Sequence, residues 1–300
     1  MNDQPAPSDE GRHLSTAHPL WNESWYFDFH DADATFGGYV RLGLYPNLGV
    51  SWFWACVVGE GRPLVFVRDH EAPLPRGAEL ELRAPALWSD ISCLEPLERF
   101  SVQLEAFGVG VDDPAEMYGR MRGDQVPVGF DLEWETDGGV FAYPAGITRY
   151  EVPCEVHGEV LVGREKIDFE GFGQRDHSWG VRDWWSFPWC WFSARLDSGE
   201  RLHCLDLGNG GSIGYRARGG DFEFSDRWAT EMEFGRHGFA ERAHVLIDLL
   251  QCDITPVAWA PVLLQAPDGR VSRLPRALVQ VESVNRRGAG WIEWNQPHLA

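Results

Sequence analysis

Asp176, His177, Arg182 and Asp183 stand close together among Trp179, Trp184 and Trp185 in the segment Gly171–Trp185. An imidazole and carboxylates carry protons near neutral pH, and partial burial among indoles shifts their proton affinities. This mixture suits acid–base chemistry on an apolar molecule. His177 would relay a proton, Asp176 would orient it and Arg182 would brace the segment electrostatically. Trp179 and Trp185 would wall a pocket, with Trp179 able to face a cation through its π system. The plainer alternative is a strand end whose Asp and His satisfy backbone groups, with Trp179 in the core.

Further candidates lie on later strands. The hairpin Trp189–Leu196 and Arg201–Leu207 places Trp191 on the same strand face as Trp189. On the second strand Cys204 and Asp206 share one face and His203 and Leu205 the other, so His203 and Asp206 should not line one cavity together. A buried Asp206 needs partners or a proton, and in the protonated state it is a general acid; the alternative is an edge or outward position. Glu293 lies between Trp291 and Trp294 and is a reserve acid–base group or a solvent-facing Glu on a closing strand. Near the start, Glu23, Trp25 and Tyr26 open a strand, either as core aromatics with a turn acid or with Tyr26 as a ligand contact.

Three pattern matches fail on context. Gly210-Gly-Ser212-Ile-Gly214 has the spacing of a nucleophile elbow, but Tyr215-Arg-Ala-Arg-Gly-Gly cannot form the helix which that motif needs. Gly208-Asn-Gly210 lacks the spacing of a dinucleotide loop. His237, Glu241 and His244 do not have zinc-helix spacing and fall on an expected strand. The only lysine, Lys166, lies in a charged turn and does not suit a Schiff base. Chemistry without cofactor or metal, or plain binding, is expected.

These residues require a scaffold of strands. Gly38–Leu44, Ser51–Val58, Pro63–Arg68, Glu79–Arg83 and Phe100–Ala106 read as strands between turn signals. So do Glu155–Val162 and Lys166–Phe172, flanking a tight turn, and Val262–Gln265 and Val271–Leu274, flanking Ala266-Pro267-Asp268-Gly269. Residues 241–249 alternate with period two. The spacing predicts one helix, from Asp112 with Pro114 in its first turn to about Arg122. The pattern is that of an all-β protein with two consecutive lobes, 18–153 and 154–300, after a disordered polar tail, 1–17.

The chain has 300 residues and a net charge of −20, with a pI near 4.8. That charge excludes a nucleic-acid partner, which needs a basic footprint, and argues against an anionic membrane surface. Tryptophan occurs 15 times, enough to build core and to line a cavity for a large, flat or unsaturated ligand. Six cysteines are widely spaced, and no apolar run approaches the length of a membrane span. A cytoplasmic protein with reduced thiols is expected.

The run Asp176-His-Ser-Trp-Gly-x-Arg, preceded by Gly171-x-Gly-x-Arg, resembles the tandem lipocalin-like superfamily of carotenoid 1,2-hydratase and related cyclases, as does Glu23-Ser24-Trp25. The similarity spans roughly residues 18 to 297. It implies two β-barrel-like lobes with a hydrophobic cavity, and a His-x-Trp pair matched by His177 and Trp179. It also implies an acid at Asp206 that protonates a carbon–carbon double bond so that water captures the cation. Cys204 stands where those hydratases have a Tyr, which sets this chain apart from carotenoid hydration and leaves a different isoprenoid, polyketide or steroid-like ligand. The resulting expectation is a lyase or isomerase (hydratase, dehydratase or cyclase), with a non-catalytic carrier of an apolar ligand as the alternative. A hydrolase using Ser212 is the third possibility.

Overall fold

The computed structural model describes residues 4–208, 211–266 and 268–297. The chain forms two antiparallel sheets in succession. The first contains β1 (Trp21–His30), β2 (Phe36–Tyr45), β3 (Val50–Gly59), β4 (Leu64–Ala72), β5 (Leu82–Ala84), β6 (Leu87–Glu95), β7 (Arg99–Val111), β8 (Asp124–Thr136), β9 (Phe141–Ala142), β10 (Arg149–Val162) and β11 (Glu165–Val181). Its order is β4-β3-β2-β1-β11-β10-β8-β7-β6-β5, with β9 beside β10. Leu64–Phe66 of β4 also pair with Val109–Val111 of β7, closing the path from β4 to β7 into a barrel.

The second sheet contains β12 (Trp189–Leu196), β13 (Arg201–Asp206), β14 (Ser212–Arg218), β15 (Asp221–Ser225), β16 (Trp228–Phe234), β17 (Ala240–Ile247), β18 (Leu250–Trp259), β21 (Arg276–Ser283) and β22 (Arg286–Pro297), with β19 (Val262–Gln265) and β20 (Val271–Leu274) attached through β22. Its order is β15-β14-β13-β12-β22-β21-β18-β17-β16. The expected all-β, two-lobed lipocalin-like architecture is the one observed.

Each lobe has its own core. Trp25, Phe27, Phe29, Val40 and Leu42 fill the first; Phe192, Cys204, Val279 and Ile292 fill the second. The opposite faces of the same strands pack lobe against lobe, joining Tyr26, Tyr39, Trp52 and Trp54 to Trp191, Leu278 and Trp291. Every residue of β1 and β2 is therefore buried. A strand covered on both faces reads as one apolar run, not as an alternation. Much of the tryptophan excess sits in this inter-lobe layer.

The structure departs from the sequence-based expectations in three places. The expected division at 153/154 falls inside β10, which together with β11 completes the first barrel: Tyr150 pairs with His177, and His177 with Trp25 of β1. The change of sheet falls after Val181 and before Trp189. The expected polar tail is ordered from residue 4. It forms a 3-10 turn at Pro7–Glu10 and buries Glu10, whose carboxylate pairs with the buried Arg175 at 2.9 Å. A buried guanidinium needs a counter-charge, and the tail supplies it. The expected helix shrinks to a 3-10 turn at Pro114–Tyr118, capped by the Asp113 side chain on Ala115 N–H. Met121, with φ of 47°, leaves helical space, and β8 begins at Asp124. Among the described residues no helix is long and apolar enough to cross a membrane.

Candidate active site

A cavity of about 510 Å³ opens where the two sheets meet. Trp179, Trp184, Trp189 and Trp191 wall it, with Leu205 and Phe187. Its polar lining comes mainly from the inter-lobe faces of six strands, with Thr148 and Asp183 from the adjoining loops. Ser24 and Tyr26 project from β1, Arg41 from β2, Arg149 from β10, Asp176 from β11, Arg276 from β21 and Glu293 from β22; Arg182 follows β11. The alternation of each strand selects these residues. On β11 Asp176 turns to the cavity while Arg175 and His177 turn inward.

The segment that carries Asp176 is glycine-rich for a steric reason. A Cβ at Gly173 would run into the carbonyl of Asp28 on β1, so glycine lets β11 press against its neighbour. Asp176 is then fixed by Arg149, whose Nη2 donates to Oδ2 at 2.9 Å. Burial pushes the Asp176 carboxyl up, and Arg149 pulls it back. Glu293 is paired with Arg276, both buried. Its carboxyl is likewise raised by burial and restrained by that guanidinium. Two desolvated carboxyls, each held by an arginine, thus share one aromatic cavity.

Behind them lie further buried polar groups. Tyr26 donates to Asp28 Oδ2 at 3.0 Å, and Asp28 Oδ1 accepts from Gln174 N–H at 2.8 Å. Burial pushes Asp28 up to about 7. Glu151 accepts from Arg149 Nε at 2.7 Å, from Gln174 at 2.9 Å and from Trp191 at 3.3 Å. Arg182 donates to Ser178 at 3.1 Å and lies over Trp184, 5.1 Å from the ring centroid. Burial, with Arg149 and Arg41 nearby, lowers it to about 10.

The structure brings together Asp176, Glu293, Tyr26, Trp179, Trp191 and Arg182 in this cavity. It takes five other expected site residues elsewhere. Asp206 points away from the cavity, and its carboxylate accepts from Gly208 N–H at 2.9 Å and Thr230 Oγ1 at 2.8 Å. Cys204, on the same face, belongs to the second-lobe core. His177 is fully buried on the inner side of β11, stacked on Trp25 at 4.4 Å between ring centroids. His203 sits behind Trp191, its Nε2 2.8 Å from the Tyr143 hydroxyl, and burial holds its pKa well below the ordinary histidine range. Trp185 bridges the lobes by donating to the carbonyl of Leu264 at 3.3 Å.

Two other polar groups are structural. Ser212 Oγ donates to the carbonyl of Asp226 at 2.8 Å and accepts from Trp228 N–H at 3.0 Å; Asn209, Gly210 and Pro267 lie outside the described residues. His13, Glu23 and His177 hold donor atoms within 4.8 Å of one another, a set able to take a metal ion. Glu23 Oε1 already meets His13 Nδ1 at 2.6 Å and His177 Nε2 at 3.1 Å, so the three satisfy each other.

Sequence alone did not single out Arg41, Arg149, Arg276, Asp28 and Glu151. Arg41 stands in Gly37-Gly-Tyr-Val-Arg-Leu-Gly-Leu and Arg276 before Ala-Leu-Val-Gln-Val. A lone charge inside an apolar strand was the signal to use, because burial on both faces leaves such a charge only an internal cavity or a partner to meet.

No curated protein matches the chain in sequence. In structure the chain is similar to a candidate AttH from Nitrosomonas europaea, with a TM-score of 0.65 and 15% identity over 97% of this chain and 96% of that one. It is similar also to kievitone hydratase from Nectria haematococca, with a TM-score of 0.60 and 10% identity over 93% and 90%. A third likeness is to CghA with Sch210972, with a TM-score of 0.55 and 11% identity over 94% and 89%. At these identities the likeness is one of fold. The model of one family, a domain of unknown function termed DUF7064, matches residues 6–298, and the chain belongs to that family.

Proposed function

We propose that the protein is a cofactor-independent acid–base enzyme, a hydratase, dehydratase or cyclase, acting on a hydrophobic unsaturated small molecule. The observation that carries this reading is the pair Asp176 and Glu293: two carboxyls raised by burial, lining one cavity walled by indoles. A carboxyl whose proton affinity is raised by burial can, in its protonated form, give that proton to an alkene carbon. The cation left on the adjacent carbon is stabilised by indole faces and by exclusion of water. In a hydration, water adds to that cation and loses its proton to the second carboxylate. In a cyclisation, a second double bond captures the cation and a carboxylate removes a proton from the product. The sequence offers no dinucleotide or phosphate loop for another chemistry. That a hydratase is built on the same architecture supports the reading. The terpenoid, polyketide and steroid-like classes fit the aromatic walls.

Incubation of the purified protein with a panel of isoprenoid, polyketide and polycyclic alkenes, followed by mass spectrometry, tests the proposal. Gain or loss of water, or isomerisation at constant mass, is the expected result. Recovery of every bound compound unchanged would instead make the protein a carrier.

A further inference from the structure

One guanidinium in the cavity lining has no carboxylate or hydroxyl partner among the described residues. Arg149 is paired with Glu151 and Asp176, and Arg276 with Glu293. Arg182 lines the same cavity and donates to the Ser178 hydroxyl. Arg41, the fourth guanidinium in the lining, is 3% exposed, and neither of its terminal nitrogens has a hydrogen-bond partner among the described residues. Its contacts are aromatic: Trp54 and Trp184, at 4.6 and 5.2 Å from the ring centroids. Nε and Nη1 of Arg276 likewise have no hydrogen-bond partner among the described residues. A guanidinium is charged at any working pH, and its fork of N–H donors matches a carboxylate. Leaving such donors buried and unmet is costly.

We infer that the cavity takes a ligand bearing a single carboxylate, which Arg41 receives between Trp54 and Trp184 while the unsaturated apolar body lies against the other indoles. The single carboxylate follows from the pairing: Arg149 meets Glu151 and Asp176, Arg276 meets Glu293 and Arg182 meets Ser178, which leaves the fork of Arg41 as the one guanidinium of the lining with neither terminal nitrogen partnered among the described residues. A diphosphate would bring further negative charge into a cavity that Asp176, Asp183 and Glu293 also line. This inference rests on the proposed reading of the cavity as the substrate site, and it names the class of that substrate as an unsaturated carboxylic acid. The anchor also serves the chemistry, since a tethered carboxylate fixes which carbon of the chain faces Asp176 and Glu293.

Gly43 offers a second handle on the same anchor. A Cβ at Gly43 would lie 2.5 Å from Nη1 of Arg41, so alanine there displaces the guanidinium without removing its charge.

The test is a binding titration with retinoic acid and methyl retinoate, read by quenching of the protein's tryptophan fluorescence. The wild-type chain is expected to bind the acid at least about tenfold more tightly than the ester. Arg41→Met should abolish that difference and leave the ester affinity within about twofold of wild type. Its melting temperature should not fall, since an unpaired buried charge is replaced by an apolar side chain of similar length. Gly43→Ala should weaken acid binding selectively and so tests the anchor even where Arg41→Met folds poorly. Equal affinity for acid and ester in the wild type overturns the inference, as does an acid preference that survives both substitutions. Ester binding without acid preference leaves the apolar substrate site standing, and acid preference without turnover of any alkene leaves the anion site standing without the enzyme. If neither compound binds, both are overturned.

Discussion

Asp176 and His177 are chain neighbours that face opposite sides of one strand. Asp176 accepts from Arg149 at 2.9 Å in the cavity between the lobes. His177 stacks on Trp25 inside the first lobe, between Glu23 and Tyr150. The pair therefore divides between two places: one residue lines the cavity and the other ties β11 to β1 and β10. His177→Gln is expected to leave turnover within a few fold of wild type and to lower stability by roughly 1–3 kcal/mol, because Glu23 and Tyr150 lose a buried partner. Denaturant unfolding alongside a turnover assay checks both halves.

The N-terminal segment is predicted to be part of the folded unit. The buried Glu10 pairs with Arg175, contacts the Tyr150 hydroxyl and accepts from the half-buried Leu97 N–H at 2.9 Å. Glu10→Ala strands a buried guanidinium and should cost on the order of 3–5 kcal/mol. Loss of stability well below that range, or an unaltered melting temperature after deletion of residues 1–13, would show that the segment is dispensable.

Asp28 gives a pH dependence with a defined sign. Its carboxyl is raised from 3.8 to about 7, burial being the largest cause. The folded state thus binds this proton more tightly than the unfolded state. The associated stability is fully present below about pH 4 and is lost as pH rises toward 7, by up to about 4 kcal/mol. Asp28→Asn should therefore raise stability at pH 8 and have little effect near pH 4. Melting curves of both proteins across that range decide it; a variant less stable at pH 8 would mean that Asp28 is ionised and well served in the fold.

The lobes are predicted to unfold together. Trp291 of β22 is fully buried, and its indole donates to the Phe29 carbonyl of β1 at 3.1 Å. Trp291→Ala removes a large side chain from the inter-lobe layer and should cost about 3–5 kcal/mol in a single transition. Separate transitions for the two lobes in calorimetry would contradict this.

The two-lobed β architecture was legible because turn signals separate many short apolar runs, and Glu293 was legible as a candidate cavity residue because indoles flank it. Asp206 was misplaced because its role came from a resemblance, and strand alternation alone does not say which face of β13 meets the other lobe. The structure gives that face to His203 and Leu205. The lobe boundary was misplaced because the pairing of β11 with β1 spans most of the first lobe, a relation with no local signature. Arg41 stood in plain view as a charge in an apolar strand, but its significance depends on Trp184, which is distant in sequence.

Proton transfer by Asp176 and Glu293 is tested most directly by turnover of an alkene substrate in D2O. Deuterium incorporation would be read by mass spectrometry for the wild type, Asp176→Asn, Glu293→Gln and Asp206→Asn. Deuterium at carbon is expected in the wild type and in Asp206→Asn. Asp176→Asn and Glu293→Gln should lose roughly 10²–10⁴-fold in rate with ligand affinity largely kept. Rates that fall with Asp206→Asn and are indifferent to both cavity carboxyls would contradict the assignment.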